Sequence, residues 1–343
     1  MPQPTHTAAL TLGRRATLTV TLALAGAAAA AAPADYETGS RAFVDEMAAR
    51  HGFGRAELTA LLDDARYQQA IIDAMDRPYE GKPWREYRQI FVTPERIDRG
   101  VAFLRANATL LRQAEAAYGV PPEVITAIIG IETNYGRNVG KHRVLDALTT
   151  LGFAYPRRAD FFRGELEEFL LLARDEHVDA RRVLGSYAGA VGKPQFIPSS
   201  YRAYAVDFDG DGRRDLWGSN ADVIGSVGNY LAQHGWRRGE PIAAPAALPR
   251  GRPSGIDIGD KLPLLPETPL TQLTAAGVEP AEPLPDTSSV ALIGLDGDGP
   301  EYWLTLPNFY AITRYNHSNL YALAAYQLSR EIAARAAGDQ GED

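Results

Sequence analysis

The segment from Pro122 to Tyr135 constrains the fold more than any other part of the sequence. It begins with a double proline followed by Glu123, a pattern typical of a helix N-terminus, and five branched apolar residues follow within eight positions. Glu132 lies four residues after Ile128 and seven after Ile125, so it shares their face of the helix. The pattern predicts a buried helix that carries a carboxylate on its apolar side.

Two interpretations of Glu132 follow from this position. A carboxylate on an apolar surface costs free energy unless it is paired or functional. Desolvation raises the pKa of such a group toward the value that a general acid needs near neutral pH. Alternatively, Glu132 lies beyond the buried turns at the helix end, and its carboxylate is hydrated. The spacing alone does not separate a catalytic acid from a helix-end residue.

Hydrophobic periodicity predicts a mainly α fold with a small β-containing insertion. Apolar residues recur at helical spacings over residues 38–120, with a loop at 78–83, and the helical pattern continues from 121 to about 230. Over residues 240–300 proline is frequent and apolar runs are short, which favours short strands and turns. An alanine-rich helix is expected over 316–338. The length of 343 residues corresponds to about two domains.

The composition excludes several classes of protein. The chain has no cysteine, which excludes disulfide frameworks, thiolate metal sites, cysteine nucleophiles and cysteine-linked lipid anchors. Its formal net charge of −8 gives no basic surface for nucleic acid or anionic membranes. We therefore expect no nucleic-acid partner and no lipid anchor.

The N-terminus has the pattern of an export signal. Arg14 and Arg15 precede an uninterrupted run of small and apolar residues from Ala16 to Ala32, and Ala32-Pro33-Ala34 is similar to a signal cleavage site. A transmembrane anchor is the alternative, but these 17 residues, mostly Ala, Thr and Leu, are short and weakly apolar for a membrane span. We expect residues 1–34 to be removed on export.

Residues 207–215 have the spacing of the start of an EF-hand loop. Asp207, Asp209, Asp211 and Asp215 occupy loop positions 1, 3, 5 and 9, and Gly212 occupies the sharp-turn position 6. Acids this close repel one another unless a cation neutralises them. We expect a structural Ca²⁺ here, to which Arg213 would contribute only its backbone carbonyl. Position 12, usually a bidentate Glu, is Gly218, and a solvated acidic turn without metal is the alternative.

A series of short motifs accompanies Glu132 in a fixed order. They are Glu132-Thr133-Asn134-Tyr135-Gly136, Leu145-Asp146-Ala147-Leu148, Tyr155-Pro156-Arg157-Arg158, Gly185-Ser186-Tyr187-Ala188-Gly189-Ala190, Gln195-Phe196-Ile197-Pro198-Ser199-Ser200-Tyr201 and Arg314-Tyr315-Asn316-His317-Ser318. From about Tyr87 to Tyr326, the series resembles the lytic murein transglycosylases of the membrane-bound transglycosylase B type. The resemblance rests on the combination, since any one motif alone would be weak.

The resemblance implies a lysozyme-like helical core and an enzyme that cleaves the β-1,4 bond between N-acetylmuramic acid and N-acetylglucosamine in peptidoglycan. In this family the muramyl 6-hydroxyl attacks its own anomeric carbon and leaves a 1,6-anhydro end, and one carboxyl group serves as acid and then as base. A hydrolytic muramidase would instead need a second carboxylate roughly 5–10 Å from the first. Asp146 and Asp160 are the candidates for that role, although either could be a structural cap. A non-catalytic peptidoglycan-binding protein is the third interpretation.

The resemblance also implies roles for individual residues. Glu132 matches the catalytic acid/base, Ser186 a hydroxyl close to that carboxylate, and Gln195 a residue that positions the sugar. The remaining matches are Asn316 as a polar cleft residue, Asp222 as the last carboxylate of the metal loop, and four aromatic cleft positions, Tyr87, Tyr230, Tyr315 and Tyr321. The chain departs from the family at Lys193-Pro194, where proline could reshape the loop that presents Gln195. We interpret His317 as structural.

Together these observations predict a division of the chain and its setting. We expect an export signal over 1–34, an N-terminal α-helical region over 35–120, a lysozyme-like catalytic core with the EF-hand-like loop over 121–240, a small β-containing region over 241–315 and a C-terminal helix over 316–343. The expected location is the periplasm, in soluble form after signal cleavage. The expected partners are peptidoglycan glycan strands and proteins of cell-wall synthesis or division, with Ca²⁺ and no organic cofactor.

Overall fold

The computed structural model describes residues 33–77 and 81–338, so nearly all of the predicted export signal lies outside the described residues. Within this part the chain is mostly helical. The helices are α1 (Ala34–His51), α2 (Arg55–Asp63), α3 (Gln69–Met75), α4 (Trp84–Phe91), α5 (Pro94–Ala106), α6 (Ala108–Tyr118), α7 (Pro122–Thr133), α8 (Val144–Ala154), α9 (Ala159–Asp175), α10 (Pro198–Tyr204), α11 (Asn220–Gln233), α12 (Leu270–Ala275), α13 (Pro307–Thr313) and α14 (Asn319–Gly338). Among these helices, none is long and apolar enough to cross a membrane.

The described residues also form a short 3-10 helix, Pro156–Arg158, and eight short strands. The strands are β1 (His142–Arg143), β2 (Leu184–Gly185), β3 (Ala243–Ala247), β4 (Ile258–Gly259), β5 (Thr268–Pro269), β6 (Glu279–Pro280), β7 (Ser289–Asp296) and β8 (Pro300–Thr305). The first two pair with each other, and the others form one sheet in the order β4-β7-β8-β3-β6, with β5 also paired to β7. The predicted fold, mainly α with a small β-containing insertion, is therefore confirmed.

Helix α7 lies at the centre of the helical core. It begins at Pro122, as the double proline predicted, and nearly every residue from Val124 to Thr133 is buried. The helix packs against α5, α6, α11 and α14. One hydrophobic cluster therefore contains residues from the N-terminal helices, from the central helices and from α14.

The sheet has a different hydrophobic cluster on each of its faces. In β8, Trp303 packs against the helical core, whereas its neighbours Tyr302 and Leu304 belong to a second cluster, as expected from the alternation of side chains along a strand. This second cluster also contains Leu270 and Leu273 of α12. The sequence pattern did not predict α12. A helix of six residues contains only one pair of apolar residues at helical spacing, here Leu270 and Leu273, which is too few to show a period.

Candidate active site

The end of α7 is fixed by an aromatic side chain that folds back onto the helix. Asn134 and Tyr135 adopt left-handed backbone conformations with φ of 50° and 62°. The Tyr135 ring lies between two glycines, Gly130 of α7 and Gly100 of α5. A Cβ atom at either glycine would lie 2.6 Å from the Tyr135 hydroxyl. That hydroxyl donates to the Arg96 carbonyl over 2.8 Å. The residues after Glu132 therefore lock the last turn of its helix.

A second anchor ties α7 to the loop that precedes α10. Thr133 donates its hydroxyl to the Lys193 carbonyl over 2.8 Å, and the same Thr133 oxygen accepts from the Gly136 amide over 3.0 Å. Thr133 is almost fully buried. Both ends of the short Glu132-to-Gly136 motif are thus held, which restricts the motion of the Glu132 side chain.

Glu132 is half-buried and receives a short hydrogen bond from α14. The Tyr321 hydroxyl donates to Glu132 Oε1 over 2.5 Å, and Tyr321 itself is only 2% exposed. The Tyr315 ring lies nearly parallel to the Tyr321 ring, with 6.3 Å between centroids. Burial, and next the Glu132 charge, raise the pKa values of both tyrosines well above their usual range. Both hydroxyls therefore remain hydrogen-bond donors at physiological pH.

Glu132 opens into a surface cleft of about 500 Å³. Aromatic, amide, hydroxyl and basic side chains share its lining with this carboxylate. The lining residues are Glu132, Arg158, Phe161, Phe162, Ala188, Gln195, Phe196, Ile197, Ser200, Tyr230, Arg314, Tyr315, Asn316 and His317. Of the lining residues in the described part of the chain, Glu132 is the one carboxylate.

The structure brings together most of the sequence-predicted cleft residues. Gln195, Tyr230, Tyr315 and Asn316 lie in the lining with Glu132. Tyr230 donates its hydroxyl to the Arg314 carbonyl over 2.6 Å, and burial raises its pKa.

Three predicted residues lie behind or beside the cleft surface. Tyr321 approaches Glu132 from α14, and Tyr87, in α4, is almost fully buried and lies within electrostatic reach of Tyr321. The Ser186 hydroxyl oxygen accepts from the amides of Ala188 and Ala190 over 3.2 and 3.0 Å. Ser186 thus holds the turn that delivers Ala188 to the cleft.

The loop with the unusual Lys193-Pro194 pair presents Gln195 in a constrained geometry. Gln195 has a φ of 52°, which is uncommon for a residue other than glycine. Its side-chain nitrogen, Nε2, donates to the carbonyls of Gly192 and Val139 over 2.9 and 3.2 Å. The Pro194 carbonyl accepts from the Tyr315 hydroxyl over 2.7 Å. This contact uses the backbone carbonyl, which proline retains.

Several cleft residues have no predicted role in the sequence analysis. The Arg158 guanidinium lies 4.2 Å from the Phe161 ring centroid, and Phe161 is 40% exposed. Arg158 ends the motif Tyr155-Pro156-Arg157-Arg158, but no sequence pattern predicted that its side chain would line the cleft. His317, interpreted as structural, also lines the cleft, and burial together with Arg314 lowers its pKa.

The two candidates for a second catalytic carboxylate lie outside the cleft lining. Asp146 is buried, and its two oxygens accept from the Arg66 amide and the Gln68 side chain over 3.0 and 2.9 Å. Asp160 has a side chain that is 95% exposed and paired with Arg163. Asp146 therefore attaches the N-terminal helices to α8, and Asp160 lies on the surface at the start of α9.

The acidic loop gathers three of its carboxylates at the surface. Oxygens of Asp207, Asp209 and Asp211 lie within 4.8 Å of one another. Gly210 and Gly212 have positive φ values of 76° and 89°, which allow the chain to turn sharply around them. Three carboxylates in such proximity are the oxygen donors that Ca²⁺ prefers. The donor set therefore fits a hard divalent cation.

The two later acids of this loop are used differently. Both oxygens of Asp222 accept backbone amides, from Phe208 and Asp215, each over 2.8 Å. Burial raises the pKa of Asp222. Asp215 accepts from the Trp217 and Gly218 amides. Among the described residues, the close carboxylate group comprises the first three acids and not these two.

A carboxylate in an open cleft walled by tyrosines and amides, on a mostly helical fold, is the arrangement of an enzyme that acts on a polysaccharide. The family described as the transglycosylase SLT domain matches residues 35–330. Membrane-bound lytic murein transglycosylase B of Escherichia coli K12 is 46% identical over 305 residues, which cover 86% of this chain and 82% of that protein. The chain therefore belongs to the lytic murein transglycosylase family, whose enzymes act on peptidoglycan.

Solved structures are similar over the same extent. Soluble lytic transglycosylase SltB1 from Pseudomonas aeruginosa is 50% identical with a TM-score of 0.80, covering 87% of this chain and 99% of that one. Escherichia coli lytic transglycosylase Slt35 in complex with calcium is 45% identical with a TM-score of 0.79, covering 87% and 94%. SltB3 from Pseudomonas aeruginosa, in complex with NAG-anhNAM-pentapeptide, is 32% identical with a TM-score of 0.74, covering 88% and 80%.

Proposed function

We propose that this chain cleaves the β-1,4 bond between N-acetylmuramic acid and N-acetylglucosamine without water, with Glu132 as the single acid/base. The observation that carries the proposal is the position of Glu132, as the one carboxylate in the described lining of an aromatic-walled cleft. Family membership supports the substrate, and the complex of SltB3 with an anhydromuramyl product fragment supports the product.

In the proposed reaction, Glu132 first donates one proton and then accepts another. The neutral Glu132 carboxyl protonates the glycosidic oxygen, and the bond from that oxygen to the muramyl anomeric carbon breaks. The resulting carboxylate then accepts the proton of the muramyl 6-hydroxyl as its oxygen bonds to the same carbon. The products are a free 4-hydroxyl on N-acetylglucosamine and a 1,6-anhydro end, and Glu132 is neutral again.

The bond from Tyr321 supports this cycle in two ways. Because Oε1 accepts from the Tyr321 hydroxyl, the acidic proton is carried on Oε2. The same hydroxyl stabilises the negative charge that develops on Glu132 as the proton leaves, and an interaction that strengthens in the transition state accelerates the reaction.

The remaining cleft residues suit a polymer of acetylated sugars. Tyr230 and Tyr315 present aromatic surface to the apolar faces of sugar rings. The side-chain oxygen of Gln195 and the amide of Asn316 are suited to sugar hydroxyls and acetamido groups. We assign these four residues to substrate binding, and Tyr321, Tyr87 and Ser186, which lie behind them, to positioning the groups of the cleft. Arg158 and Arg314 add positive charge beside the path of the glycan.

A hydrolytic muramidase is less well supported by this geometry. An inverting or retaining glycosidase needs a second carboxyl group within roughly 5–10 Å of the first. Asp146 is held by bonds to the N-terminal region and Asp160 is exposed at the surface. Neither lies in the lining of the cleft.

Mass spectrometry of the fragments released from purified peptidoglycan tests the proposal directly. We expect muropeptides that are one water lighter than hydrolytic products. The Glu132→Gln variant keeps the volume but cannot donate the proton, so the rate should fall by orders of magnitude while the thermal stability is retained. Fragments with ordinary reducing ends would establish hydrolysis instead, and near-normal turnover of the variant would exclude Glu132 as the acid.

We also propose that the acidic loop holds a structural Ca²⁺. Asp207, Asp209 and Asp211 would supply carboxylate oxygens to the ion. The Arg213 carbonyl and Asp215 would complete the ligand set, and Asp222 would be the last carboxylate of the loop. The calcium complex of Slt35 supports this assignment. The ion would stabilise the segment between α10 and α11 and would take no part in bond cleavage.

The setting of the enzyme follows from its substrate. Peptidoglycan lies outside the cytoplasmic membrane, and the N-terminal signal pattern supports export, so we propose a periplasmic enzyme that is soluble after signal cleavage. Proteins of cell-wall synthesis or division would be its recruiting partners. Fractionation of cells that express the full chain, followed by N-terminal sequencing of the mature protein, tests this assignment.

A further inference from the structure

A second cavity lies between the sheet and two helices of the core. Its volume is about 430 Å³, close to that of the cleft. Strands β3 and β8, helices α4 and α14, and the loop after β6 contribute its walls. Its lining residues are Arg88, Val92, Pro245, Glu282, Trp303, Tyr326, Gln327, Arg330 and Glu331.

The floor of this cavity is aromatic. Trp303 and Tyr326 meet edge to face, with 6.3 Å between ring centroids. Pro245 is the direct cross-strand neighbour of Trp303 and extends the same apolar surface. Among the described residues, none accepts a hydrogen bond from the Trp303 indole N–H, so this donor is available to a bound molecule.

The rim of the cavity is polar but electrically balanced. Arg330 donates to Glu282 over 2.7 Å and to the Tyr326 hydroxyl over 3.1 Å. With Arg88 and Glu331, the lining carries two guanidinium and two carboxylate groups. This balance favours a neutral polar ligand over an acidic peptide or a phosphate. An aromatic floor that accepts the apolar face of a ring, surrounded by planar polar groups, is suited to a sugar.

The cavity and the cleft lie on different faces of the same helix. Tyr321 contacts Glu132, whereas Tyr326 lies five residues later on α14. Five residues correspond to about 7.5 Å along the axis and a turn of roughly 140°. Helix α4 also contributes to both sites, since Tyr87 lies near Tyr321 and the next residue, Arg88, lines the cavity.

We infer that this cavity is a second, non-catalytic binding site for a neutral β-1,4-linked N-acetylhexosamine segment of a glycan strand. The inference rests on the proposed function, because the cleft would act on the same polymer. One strand in the cleft and a neighbouring strand in the cavity would hold the enzyme on the network by two attachments. Bivalent attachment raises the apparent affinity for a polymer without any new contact in the cleft.

Calorimetric titration of the full-length Glu132→Gln chain with the tetramer of β-1,4-linked N-acetylglucosamine tests the inference. We expect two tetramers per chain, one in the cleft and one in the cavity. Adding Trp303→Phe, which removes the indole N–H but keeps an aromatic ring, or Gln327→Ala should reduce this number to one. The matched control is Arg335→Ala, because Arg335 lies on the same helix and forms an exposed ion pair with Asp98.

Binding to intact peptidoglycan sacculi gives a second measurement. The cavity variants should sediment with sacculi about tenfold more weakly than the Glu132→Gln parent, and the Arg335→Ala control should match that parent. A stoichiometry of one in the parent, or two in both cavity variants, would overturn the inference. Binding of an acidic stem peptide in place of the tetramer would overturn it as well. Failure of the proposed function would appear separately, as no release of fragments by the wild-type chain.

Discussion

Replacing Tyr321 with Phe removes one hydroxyl from beneath the proposed acid while leaving the ring in place. That hydroxyl donates over 2.5 Å to Glu132 Oε1 from an almost fully buried side chain. Hydrogen bonds to charged groups contribute about 1.5–3 kcal/mol. Because the charge on Glu132 develops during proton transfer, most of this energy should be lost from the transition state. At about 1.36 kcal/mol per factor of ten, kcat should fall about 10- to 150-fold.

Initial rates of soluble fragment release from peptidoglycan measure this effect, and the substrate concentration dependence separates kcat from KM. We expect KM to change little, because Tyr321 does not line the cleft. Tyr67→Phe is the matched control, since the Tyr67 hydroxyl also donates over 2.5 Å, to Gln69 in the N-terminal region. A Tyr321→Phe enzyme with unchanged kcat, or with a loss confined to KM, would refute the reasoning.

Three further predictions concern stability. Adding Ca²⁺ should raise the melting temperature of the wild-type chain and not that of Asp209→Asn, as measured by calorimetry. Equal shifts in the two proteins would exclude the acidic loop as the Ca²⁺ site. Burial raises the pKa of Glu165, so the folded state binds its proton more tightly and the free energy of unfolding falls as the pH rises through that raised pKa. In urea titrations, the stability of Glu165→Gln relative to wild type should therefore rise as the pH increases above the ordinary glutamate pKa of 4.5, and a difference in stability that does not change with pH would contradict this assignment. Gly130→Ala places a Cβ 2.6 Å from the Tyr135 hydroxyl and should cost about 1–3 kcal/mol and reduce kcat, whereas Gly164→Ala, with open space around it, should do neither.

The fold and the position of the proposed acid were accessible from local sequence signals. The double proline and the apolar spacing predicted a buried helix with Glu132 on its apolar side, and α7 begins at Pro122 as predicted and ends at Thr133. The family assignment from the motifs is confirmed by the match over residues 35–330. The strands between Ala243 and Thr305 follow from the proline-rich, short apolar runs.

The arrangement around Glu132 was not accessible in the same way. Tyr321 is 189 residues from Glu132 in the chain, so no local pattern reports their hydrogen bond. The contact of Phe161 with Arg158 is local, but the presence of both side chains in the cleft depends on how α9 lies against it. Ser186 shows a limit of motif matching. Its hydroxyl matches a site residue, but in the structure the hydroxyl oxygen accepts the hydrogen bonds of its own turn.

The contact between α7 and α14 has a consequence for the order of events during folding. Tyr315, Asn316 and Tyr321 follow nearly all of the other cleft residues in the chain. Contacts between distant segments form late because closing a long loop costs entropy first. Helix α14 packs more extensively against α7 than any other described helix does, so the surroundings of Glu132 are incomplete until this late segment of the chain has docked. An enzyme that degrades a structural polymer would thus lack the Tyr321 bond to its proposed acid until both ends of a 189-residue stretch of chain have met.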